Sequence, residues 1–580
     1  MCIAIKYQLK NNVRILNNFF IFISYYVLIL ASVIGFGLFF LKLLRIKLDY
    51  INFGYTGLFG IYILIVYSYL SNLFIAHKEN HNLVILFIGL ILFVYLIKQK
   101  YRSYKSEIIF SSIVFSLLFC AVLQFKNHDD FSYYHFPYTY YLTQQSLHIG
   151  VGQFNHGFRT PSSIFYINSL FYLPYAKFYL LNLFSLFILG FANIILLKKI
   201  HDYFKFVFIK AKQINFIHFL SLLSFVFINI FFYRLSEYGT DRAAMILIFL
   251  FIIELLSFIN LKTIKTINLF YIYLLGALII SLKAFYILYI IFIIPLFLYI
   301  LKKKKNYIRS LYFLFFNKYF ILFLVLFFFT IFTYFINTGC LIYPLSITCF
   351  EGMSWGIPLT TVQKMNDWYE LWSKGGAAPN FRVDNPEEYI KNFNWISNWI
   401  DIYFFNKMSD FILGVIFLIS IFLIFFKDNF FKKKLIEVDQ RVYLVYLVIF
   451  ILGIEWFFNH PALRYGGYHI IALLLFIPLS IKLSSQKTNL KKYTRISTLL
   501  IFITMSIFIS RNINRIINEI EFYGYKPITQ TYYSVDDSHF RIQNKMDQLI
   551  EQHNKCKVEK IRCNVDVKIK KIMSKIIFIN

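Results

Sequence analysis

The stretch SSIVFSLLFCAVLQFKNHDDFSYYHFPYTYY, Ser111 to Tyr141, joins an apolar run to a group of charged and polar residues. Its first half is apolar enough to form most of a membrane-spanning helix. Two carboxylates, Asp129 and Asp130, follow directly, at the expected edge of the bilayer. Because placing a charge beside hydrocarbon costs free energy, such a pair usually has a functional role. The stretch therefore predicts both a membrane fold and a candidate functional site.

The composition of the whole chain is that of a membrane protein. Of its 580 residues, 59% are hydrophobic and only 15% are charged, and the mean hydropathy is +0.62. A soluble domain of this size needs more polar surface to meet water. The net charge of +30 fits Lys and Arg in cytoplasmic loops, and no soluble basic domain is evident. We therefore predict an all-α integral membrane protein that has no nucleic-acid partner.

Apolar segments recur along the chain and predict 12–14 transmembrane helices. The expected helices lie near 16–41, 51–75, 83–98, 108–126, 178–197, 214–233, 242–260, 267–282, 284–301, 317–336, 409–426, 442–458, 467–483 and 496–510. Basic connections between them are expected in the cytoplasm, at 98–105, 198–213, 302–305, 427–441 and 486–495. This alternation puts the N-terminus outside, although its first Lys and Arg residues favour the inside.

Five regions follow from this pattern. They are the N-terminal transmembrane helices (1–107), a transmembrane core (108–336) with a first outer loop at 127–176, a large outer loop (337–408), C-terminal transmembrane helices (409–510) and a polar C-terminal tail (511–580), which we expect outside as a small folded appendage. Two cysteine pairs, Cys340/Cys349 and Cys556/Cys563, can form local disulfides in an oxidising compartment, and unpaired thiols remain the alternative.

The first outer loop is rich in side chains that can carry chemistry. Within about thirty residues it holds Asp129, Asp130, His128, His135, His148, His156 and Arg159, in a chain with 12 His and 29 acidic residues. The simpler interpretation is that two acids mark the water boundary after a helix. A divalent metal site also remains an alternative, since Asp and His ligate such ions, but the spacing alone is weak support for it.

Cations on the same predicted side can bind an anion. The candidates are Arg159, Arg242, Lys283 and Arg464, with His156 beside the first of them. Lys283 interrupts an apolar run from 267 to 301, so two helices must turn near it, and it either snorkels or binds an anion. We expect Asp241, Arg242 and Glu237 to pair with one another at the interface. Glu254 and Glu455 are interpreted as paired helix-packing groups.

The large outer loop holds five of the six tryptophans, Trp355, Trp368, Trp372, Trp395 and Trp399. The second and third, and the fourth and fifth, are each spaced i,i+4 and so share a helix face. Two amphipathic helices resting on the membrane interface would explain them, and aromatic platforms for sugars or a prenyl chain are the alternative. Between the pairs, KGGAAPN (Lys374 to Asn380) is interpreted as a flexible joint.

Four motifs carry a resemblance to a known family. They are Asp130-x-x-x-Tyr134-His135, QFNHGFRTPSSIFYINSLFY (Gln153 to Tyr172), CLIYPLSITCFEGMSWGIP (Cys340 to Pro358) and HPALRYGGY (His460 to Tyr468). Together with the three leading helices they resemble a family of uncharacterised bacterial polytopic membrane proteins that has the plan of GT-C type glycosyltransferases. The resemblance covers about 100–490. It departs from the better-known GT-C enzymes, whose catalytic loop usually follows the first helix.

The resemblance implies a multi-pass enzyme of the bacterial inner (cytoplasmic) membrane with a GT-C-like core and a periplasmic large loop. Such enzymes transfer a sugar from a polyprenyl-phosphate carrier, here to a cell-envelope glycolipid, polysaccharide or protein. Asp130 or Asp129 would act as the general base, with His135 as a helper. The leaving lipid phosphate would be bound by Arg159, His156, Lys283, Arg464 and Arg242.

Two other functions remain open at this stage. An O-antigen-type polysaccharide polymerase also combines many helices with a large outer loop, but depends on outer-loop arginines rather than an early Asp. A non-enzymatic lipid-carrier flippase or transporter is the alternative from another class. The sequence lacks a P-loop, a dinucleotide-binding glycine motif, HExxH and GxSxG.

Overall fold

The chain folds as a bundle of helices with two short β-hairpins. The computed structural model describes residues 2–46, 52–207, 214–237, 239–378, 381–430, 438–484, 490–559, 567–572 and 575–579. The α-helices of this part of the chain are α1 Cys2–Leu43, α2 Phe53–Asn72, α3 Glu79–Gln99, α4 Tyr101–Leu118, α5 Phe136–Gln144, α6 Ser163–Ser169, α7 Leu183–Val207, α8 Phe216–Phe231, α9 Asp241–Ile259, α10 Asn268–Leu282, α11 Ile293–Lys304, α12 Tyr307–Phe315, α13 Lys318–Thr338, α14 Leu359–Ser373, α15 Pro386–Ile390, α16 Ile396–Trp399, α17 Ser409–Phe425, α18 Lys427–Phe430, α19 Gln440–Asn459, α20 Gly467–Leu483, α21 Leu490–Tyr523 and α22 Arg541–Glu559. The strands are β1 Ala377–Ala378, β2 Phe381–Arg382, β3 Lys568–Ile572 and β4 Lys575–Ile579.

Eleven helical segments of the described chain are long and apolar enough to cross a membrane. They are Asn18–Leu43, Phe53–Asn72, Glu79–Gln99, Tyr101–Ala121, Phe178–Ile200, Asp241–Ile259, Ala284–Lys304, Lys318–Thr338, Ile396–Phe425, Gln440–Asn459 and Leu490–Tyr523. Three shorter apolar helices, α8, α10 and α20, occupy the remaining predicted segments. The prediction of an all-α multi-pass membrane protein is confirmed, and the helices place the chain in a lipid bilayer.

Burial divides the helices into a centre and a periphery. The spans that contain α7 and α9 are almost wholly buried inside the protein, whereas only about a quarter of the residues are buried in those that contain α3, α13 and α17. All of them are apolar around their whole circumference, as expected where the surroundings are either protein or lipid. In the centre, Asn193 of α7 and Asn229 of α8 exchange hydrogen bonds of 2.8 and 2.9 Å between their amides. This pair satisfies polar groups that no water can reach.

The helices alternate in direction, so their connections collect at two ends of the bundle. The described residues of the basic connections lie at one end, where Lys302 pairs with Asp439 at 3.1 Å. The first loop (127–176) and the described residues of the large loop (337–408) and of the tail lie at the other, which we call the site end. The N-terminal part of the first span also lies there, because the ring of Phe22 packs against Tyr532 of the tail.

The tail is an integral part of the site end. β3 and β4 form an antiparallel hairpin, and β4 pairs in parallel with Ile149 of the first loop. The Ile149 N–H donates to the Ile576 carbonyl, and the Phe578 N–H donates to the Ile149 carbonyl, both at 3.0 Å. Phe578 is fully buried and its ring lies 4.6 Å from that of Phe154. The expected appendage is therefore a brace on the first loop.

One of the two expected cysteine pairs forms a disulfide. Cys340 and Cys349 form a disulfide that closes the loop after α13. The other expected pair includes Cys563, which lies outside the described residues.

The last membrane helix continues well beyond its predicted end at 510, to Tyr523, because its polar extension still buries one face against the protein, including Asn512 and Arg515.

Candidate functional site

Four charged side chains from distant parts of the chain meet at the site end. Asp130 comes from the first loop, Asp241 from the start of α9, Lys283 from the end of α10 and Arg464 from the loop before α20. Arg464 donates from Nη2 to Asp130 Oδ2 at 2.8 Å and from Nε to Asp241 Oδ2 at 3.3 Å. Lys283 completes the group through an ion pair with the other oxygen of Asp241. We call these four residues the charge cluster.

Asp130 is placed by an irregular helical turn. It immediately precedes a π-helical turn from Phe131 to His135, and α5 continues from there. The Asp130 N–H donates to Nδ1 of His128 at 3.1 Å, and the His128 N–H donates to the Glu237 carbonyl at 2.9 Å. Phe131 is buried and packs edge-on against Tyr533 of the tail. Single π-helical turns frequently occur at functional sites, where they re-aim a side chain.

The structure distinguishes the two adjacent aspartates. Asp129 is exposed to solvent, whereas Asp130 is half-buried and carries the contact with Arg464. Burial raises the pKa of Asp130, but the positive charge of Arg464 and its hydrogen bond to the carboxylate outweigh burial and leave the pKa below its ordinary value. Asp130 is therefore ionised at neutral pH. The π-helical turn brings His135 within electrostatic reach of Asp130.

Arg464 is held by the PALRYGGY segment. Residues 463–465 form one turn of 3₁₀-helix, and the Tyr403 hydroxyl accepts the Leu463 N–H at 2.7 Å. Gly466 follows with φ +131°, a conformation that other residues rarely adopt. Gly467 lies against the Trp456 ring, where a side chain would collide. The two glycines therefore let the chain turn sharply enough to present Arg464 to the cluster.

Lys283 lies where two helices meet, as predicted. α10 ends at Leu282, and a 3₁₀-helical stretch leads from Ala284 into α11. Its ammonium group lies 4.9 Å from the ring centre of Tyr465, while the guanidinium of Arg464 lies 5.4 Å from that of Trp372. Both cations of the cluster thus rest on aromatic faces, which stabilise positive charge.

The other predicted anion-binding residues lie beside the cluster and outside its ion pairs. Arg159 donates to the Gly152 carbonyl at 3.0 Å and to the Tyr343 hydroxyl at 3.3 Å. His156 bonds the Tyr133 hydroxyl through Nδ1 at 2.8 Å. Burial and the charge of Arg159 lower the pKa of His156, and Asp130 acts in the opposite direction, so His156 is neutral at pH 7 and within electrostatic reach of Asp130.

The expected pairing of Asp241, Arg242 and Glu237 with one another is wrong. Asp241 forms ion pairs with Lys283 and Arg464 instead. Glu237 pairs with Arg234, and Arg242 donates to the Arg234 carbonyl at 2.8 Å. Neighbours in sequence diverge here because Asp241 begins α9, and the helix directs its first side chains to different sides.

The tryptophans of the large loop do not form two surface helices. Trp372 on α14 reaches Arg464, as described above. Trp395 and Trp399 are buried and pack against each other and against Phe457 of α19, so they belong to the protein core rather than to a membrane-facing surface. The segment after α14 is anchored as well, because buried Lys374 pairs with Glu370 at 2.5 Å. Pro379 and Asn380 of the predicted joint lie outside the described residues.

The central carboxylate and the aromatic faces of this site were not predicted from the sequence. Asp241 was assigned to a local pair, although an acid at the first position of an apolar helix could have drawn attention to it. Trp372 and Tyr465 were visible as aromatics near charged residues. Nothing in their spacing indicated which cation each would meet, because the contacts join segments far apart in the chain.

An apolar groove lies along the membrane helices next to the cluster. It has a volume of about 270 Å³ and is lined by residues of α9, α10, α11 and α13, with almost no polar surface. Ile279 and Ile280 on its wall are one turn before Lys283.

The charges of the site favour an anionic ligand. Within the cluster two carboxylates balance two cations, and Arg159 and Arg242 lie nearby without a carboxylate partner in the described part of the chain. A phosphate group could therefore enter without an unfavourable excess of negative charge. Among the described residues, no group of three or more His, Cys, Asp or Glu side chains is arranged to hold a metal ion.

Comparison with known proteins adds the family. A family model described as a domain of unknown function (DUF8201) matches residues 19–471. The chain belongs to this family. The matched region contains all four members of the charge cluster and ends before the tail. No curated protein and no solved structure matches the chain.

Proposed function

We propose that this protein is a glycosyltransferase of the bacterial inner membrane that moves a sugar from a polyprenyl-phosphate carrier to a cell-envelope acceptor. The observation that carries the proposal is the convergence of Asp130 with Arg464, Lys283 and Asp241 at one end of a membrane bundle. Transfer from a lipid phosphate needs a carboxylate that accepts the proton of the acceptor and cations that bind the leaving phosphate. The overall helical plan, with the resemblance to GT-C enzymes, supports the same conclusion by analogy.

The donor would occupy the apolar groove and the cations. Its prenyl chain has the chemistry of the groove walls, and the groove ends one turn from Lys283. The phosphate would then lie among Lys283, Arg464 and Arg159. Arg464 can give up its contact with Asp130 in exchange for a phosphate oxygen, since its second contact with Asp241 and its aromatic support at Trp372 keep it in place.

Asp130 would act as the general base. It is ionised at neutral pH, and release of Arg464 toward the phosphate would raise its proton affinity when the acceptor is bound. Its carboxylate takes the proton of the acceptor hydroxyl while the oxygen bonds to the anomeric carbon. The bond from that carbon to the phosphate oxygen breaks, and its electron pair leaves on the phosphate. Lys283 and Arg464 stabilise this growing negative charge.

The orientation we propose places the site end in the periplasm. The basic connections lie at the opposite end of the bundle, as the positive-inside rule predicts for cytoplasmic loops. The Cys340–Cys349 disulfide lies in the large loop at the site end, and disulfides persist in oxidising compartments such as the periplasm. Both observations favour an acceptor on the outer face of the membrane.

Replacement of the two adjacent aspartates tests the proposal. In a strain that lacks the protein, we expect wild type and Asp129→Asn to restore the envelope glycan profile, while Asp130→Asn loses one sugar because transfer falls about 10²–10⁴-fold. Asp129→Asn is the matched control, since its side chain is exposed. The membrane level of each variant would be measured by immunoblot.

The same strains distinguish the two other functions. An Asp130→Asn variant that supports a normal glycan profile would contradict the role of Asp130 and favour a polysaccharide polymerase, for which the arginine at the centre of the cluster would be the important residue. Purified protein that moves a labelled lipid carrier across a bilayer without transferring its sugar would favour a flippase.

A further inference from the structure

A second basic pocket lies at the site end, apart from the charge cluster. It has a volume of about 260 Å³ and is bounded by the residues after α4, the residues after α8 and the C-terminal part of α21. Each of these segments contributes a cation to its wall, Lys126, Arg234 and Arg511 respectively, and α21 adds Arg515. None of the four was among the candidate residues of the sequence.

The pocket lies at the level of the membrane interface. α21 has 34 residues, so at 1.5 Å per residue it is about 50 Å long and exceeds the roughly 30 Å hydrocarbon core. Its apolar run ends at Ser510, directly before Arg511, and the apolar run of the fourth span ends at Phe125, directly before Lys126. The cations Lys126 and Arg511 therefore lie at the edge of the hydrocarbon core, while the exposed aromatics Phe522 and Tyr523 lie about 17 Å further along α21, at the outer end of the pocket.

The guanidinium groups of the pocket are held in place. Arg511 lies flat over the Tyr233 ring at 3.8 Å and donates to the Ile230 carbonyl at 2.7 Å. Arg515 is only 7% exposed and donates to the Leu123 carbonyl at 2.7 Å and to Gln124 Oε1 at 3.3 Å. The protein thus fixes this guanidinium in the pocket wall, where it contributes positive charge.

The charges of the pocket are not balanced by the protein. Its four cations face two carboxylates, since Glu237 pairs with Arg234 and Glu519 lies on the wall. One oxygen of Glu519 is already committed, because it accepts the Phe125 N–H at 2.9 Å. Two positive charges therefore remain for a ligand. A phosphate group matches them in charge and in hydrogen-bonding capacity.

We infer that this pocket binds the phosphate of an anionic phospholipid headgroup. The position of Lys126 and Arg511, directly after two apolar membrane segments, favours a lipid over a soluble phosphate. The bound lipid would also stabilise the segment that leads to Asp130, because Arg515 and Glu519 hold the backbone at 123–125. The inference is independent of the reaction proposed above.

Lipid-dependent stability of the full-length protein tests this site. The protein would be purified in detergent, and its thermal unfolding followed while phosphatidylglycerol, phosphatidylcholine or inorganic phosphate is added. We expect saturable stabilisation by phosphatidylglycerol, with half-saturation about tenfold higher in Lys126→Ala/Arg511→Ala, because two charge-assisted contacts are lost. Lys545→Ala, which removes an exposed charge from the tail helix, should match wild type.

Three results would overturn the inference. They are equal stabilisation of wild type and the double variant by phosphatidylglycerol, stabilisation by phosphatidylcholine at the same concentrations, and stabilisation by inorganic phosphate without an effect of lipid. Since Arg511 also contacts the protein, Lys126→Ala alone provides the check on folding. Lys126 is exposed, so this variant should unfold like wild type without lipid and still bind phosphatidylglycerol more weakly.

Discussion

The two ends of α9 carry carboxylates, Glu254 buried and Asp241 half-buried, that are neutralised in different ways. Glu254, near its C-terminal end, forms an ion pair of 2.7 Å with Lys199 and accepts a hydrogen bond from Tyr55. Asp241, about 20 Å away by the helical rise, shares Arg464 with Asp130 and also holds Lys283. At the Glu254 end, one carboxylate pairs with one cation, which we call a closed pair. At the Asp241 end, one cation, Arg464, contacts two carboxylates.

The difference separates a packing role from a binding role. Glu107 of α4 repeats the closed arrangement with Lys198 and the Phe53 N–H, so pairs of this kind fasten neighbouring helices near the basic end. A shared cation can exchange one partner for a ligand oxygen without leaving a buried charge alone. We therefore expect the closed pairs to affect stability and the shared cluster to affect binding and transfer.

The largest effect is expected from Arg464→Ala. It removes the cation shared by Asp130 and Asp241 and leaves the lipid phosphate without its main partner, so sugar transfer should fall at least about 10²-fold. Arg464→Lys should recover only part of the rate, because an ammonium cannot contact both carboxylates as the guanidinium does. The envelope glycan profile of complemented strains measures both. Arg441→Ala, at the basic end, is the control and should leave transfer unchanged. Loss of transfer in this variant would contradict a specific role for the charges at the site end.

A paired replacement gives the next largest effect and tests the contrast directly. Lys199→Met/Glu254→Leu removes a whole closed pair, so transfer should be unchanged and the change in stability small, whereas Lys199→Met alone should cost about 3–5 kcal/mol by leaving a buried carboxylate unpaired. Lys283→Met/Asp241→Leu should fold and lose transfer. Thermal unfolding in detergent and the glycan profile distinguish the two outcomes. Normal transfer in the second double variant would contradict the binding role of the cluster.

The smallest effect concerns pH. Because the folded pKa of Asp130 is depressed, its ionised form stabilises the fold above the unfolded pKa of about 4, and this contribution is lost as pH falls through the folded value. The difference in stability between wild type and Asp130→Asn should therefore be constant near neutral pH and shrink below about pH 4. Unfolding temperatures recorded between pH 7 and 3 measure it. A difference that grows in acid would mean that the pKa is raised instead.

The sequence predicted the fold better than the contacts of the site. Apolar length is a local property, so each of the fourteen expected segments corresponds to a helix. The end of α21 was missed because its extension beyond 510 is polar on the outside and packs against the protein through one face. Local composition cannot reveal that packing.

Within the site, residue types were predictable and partners were not. Asp130, Lys283 and Arg464 stood out because each is a charge beside an apolar run. Their meeting depends on how α9, α10 and the loop before α20 pack together, and no spacing in one chain specifies that. Trp395 and Trp399 show the same limit, since a shared helix face did not indicate whether lipid or protein would cover it.

The pairing of β4 with Ile149 has a consequence for biosynthesis. Lys575 of that strand also binds the Leu147 carbonyl, 428 residues earlier in the chain. The first loop is therefore translated long before the strand that braces it, and the pairing can form only after α21 has been made. Until β4 has been made, Ile149 lacks its backbone partners, so the final structure of the first loop depends on a segment 428 residues further along the chain.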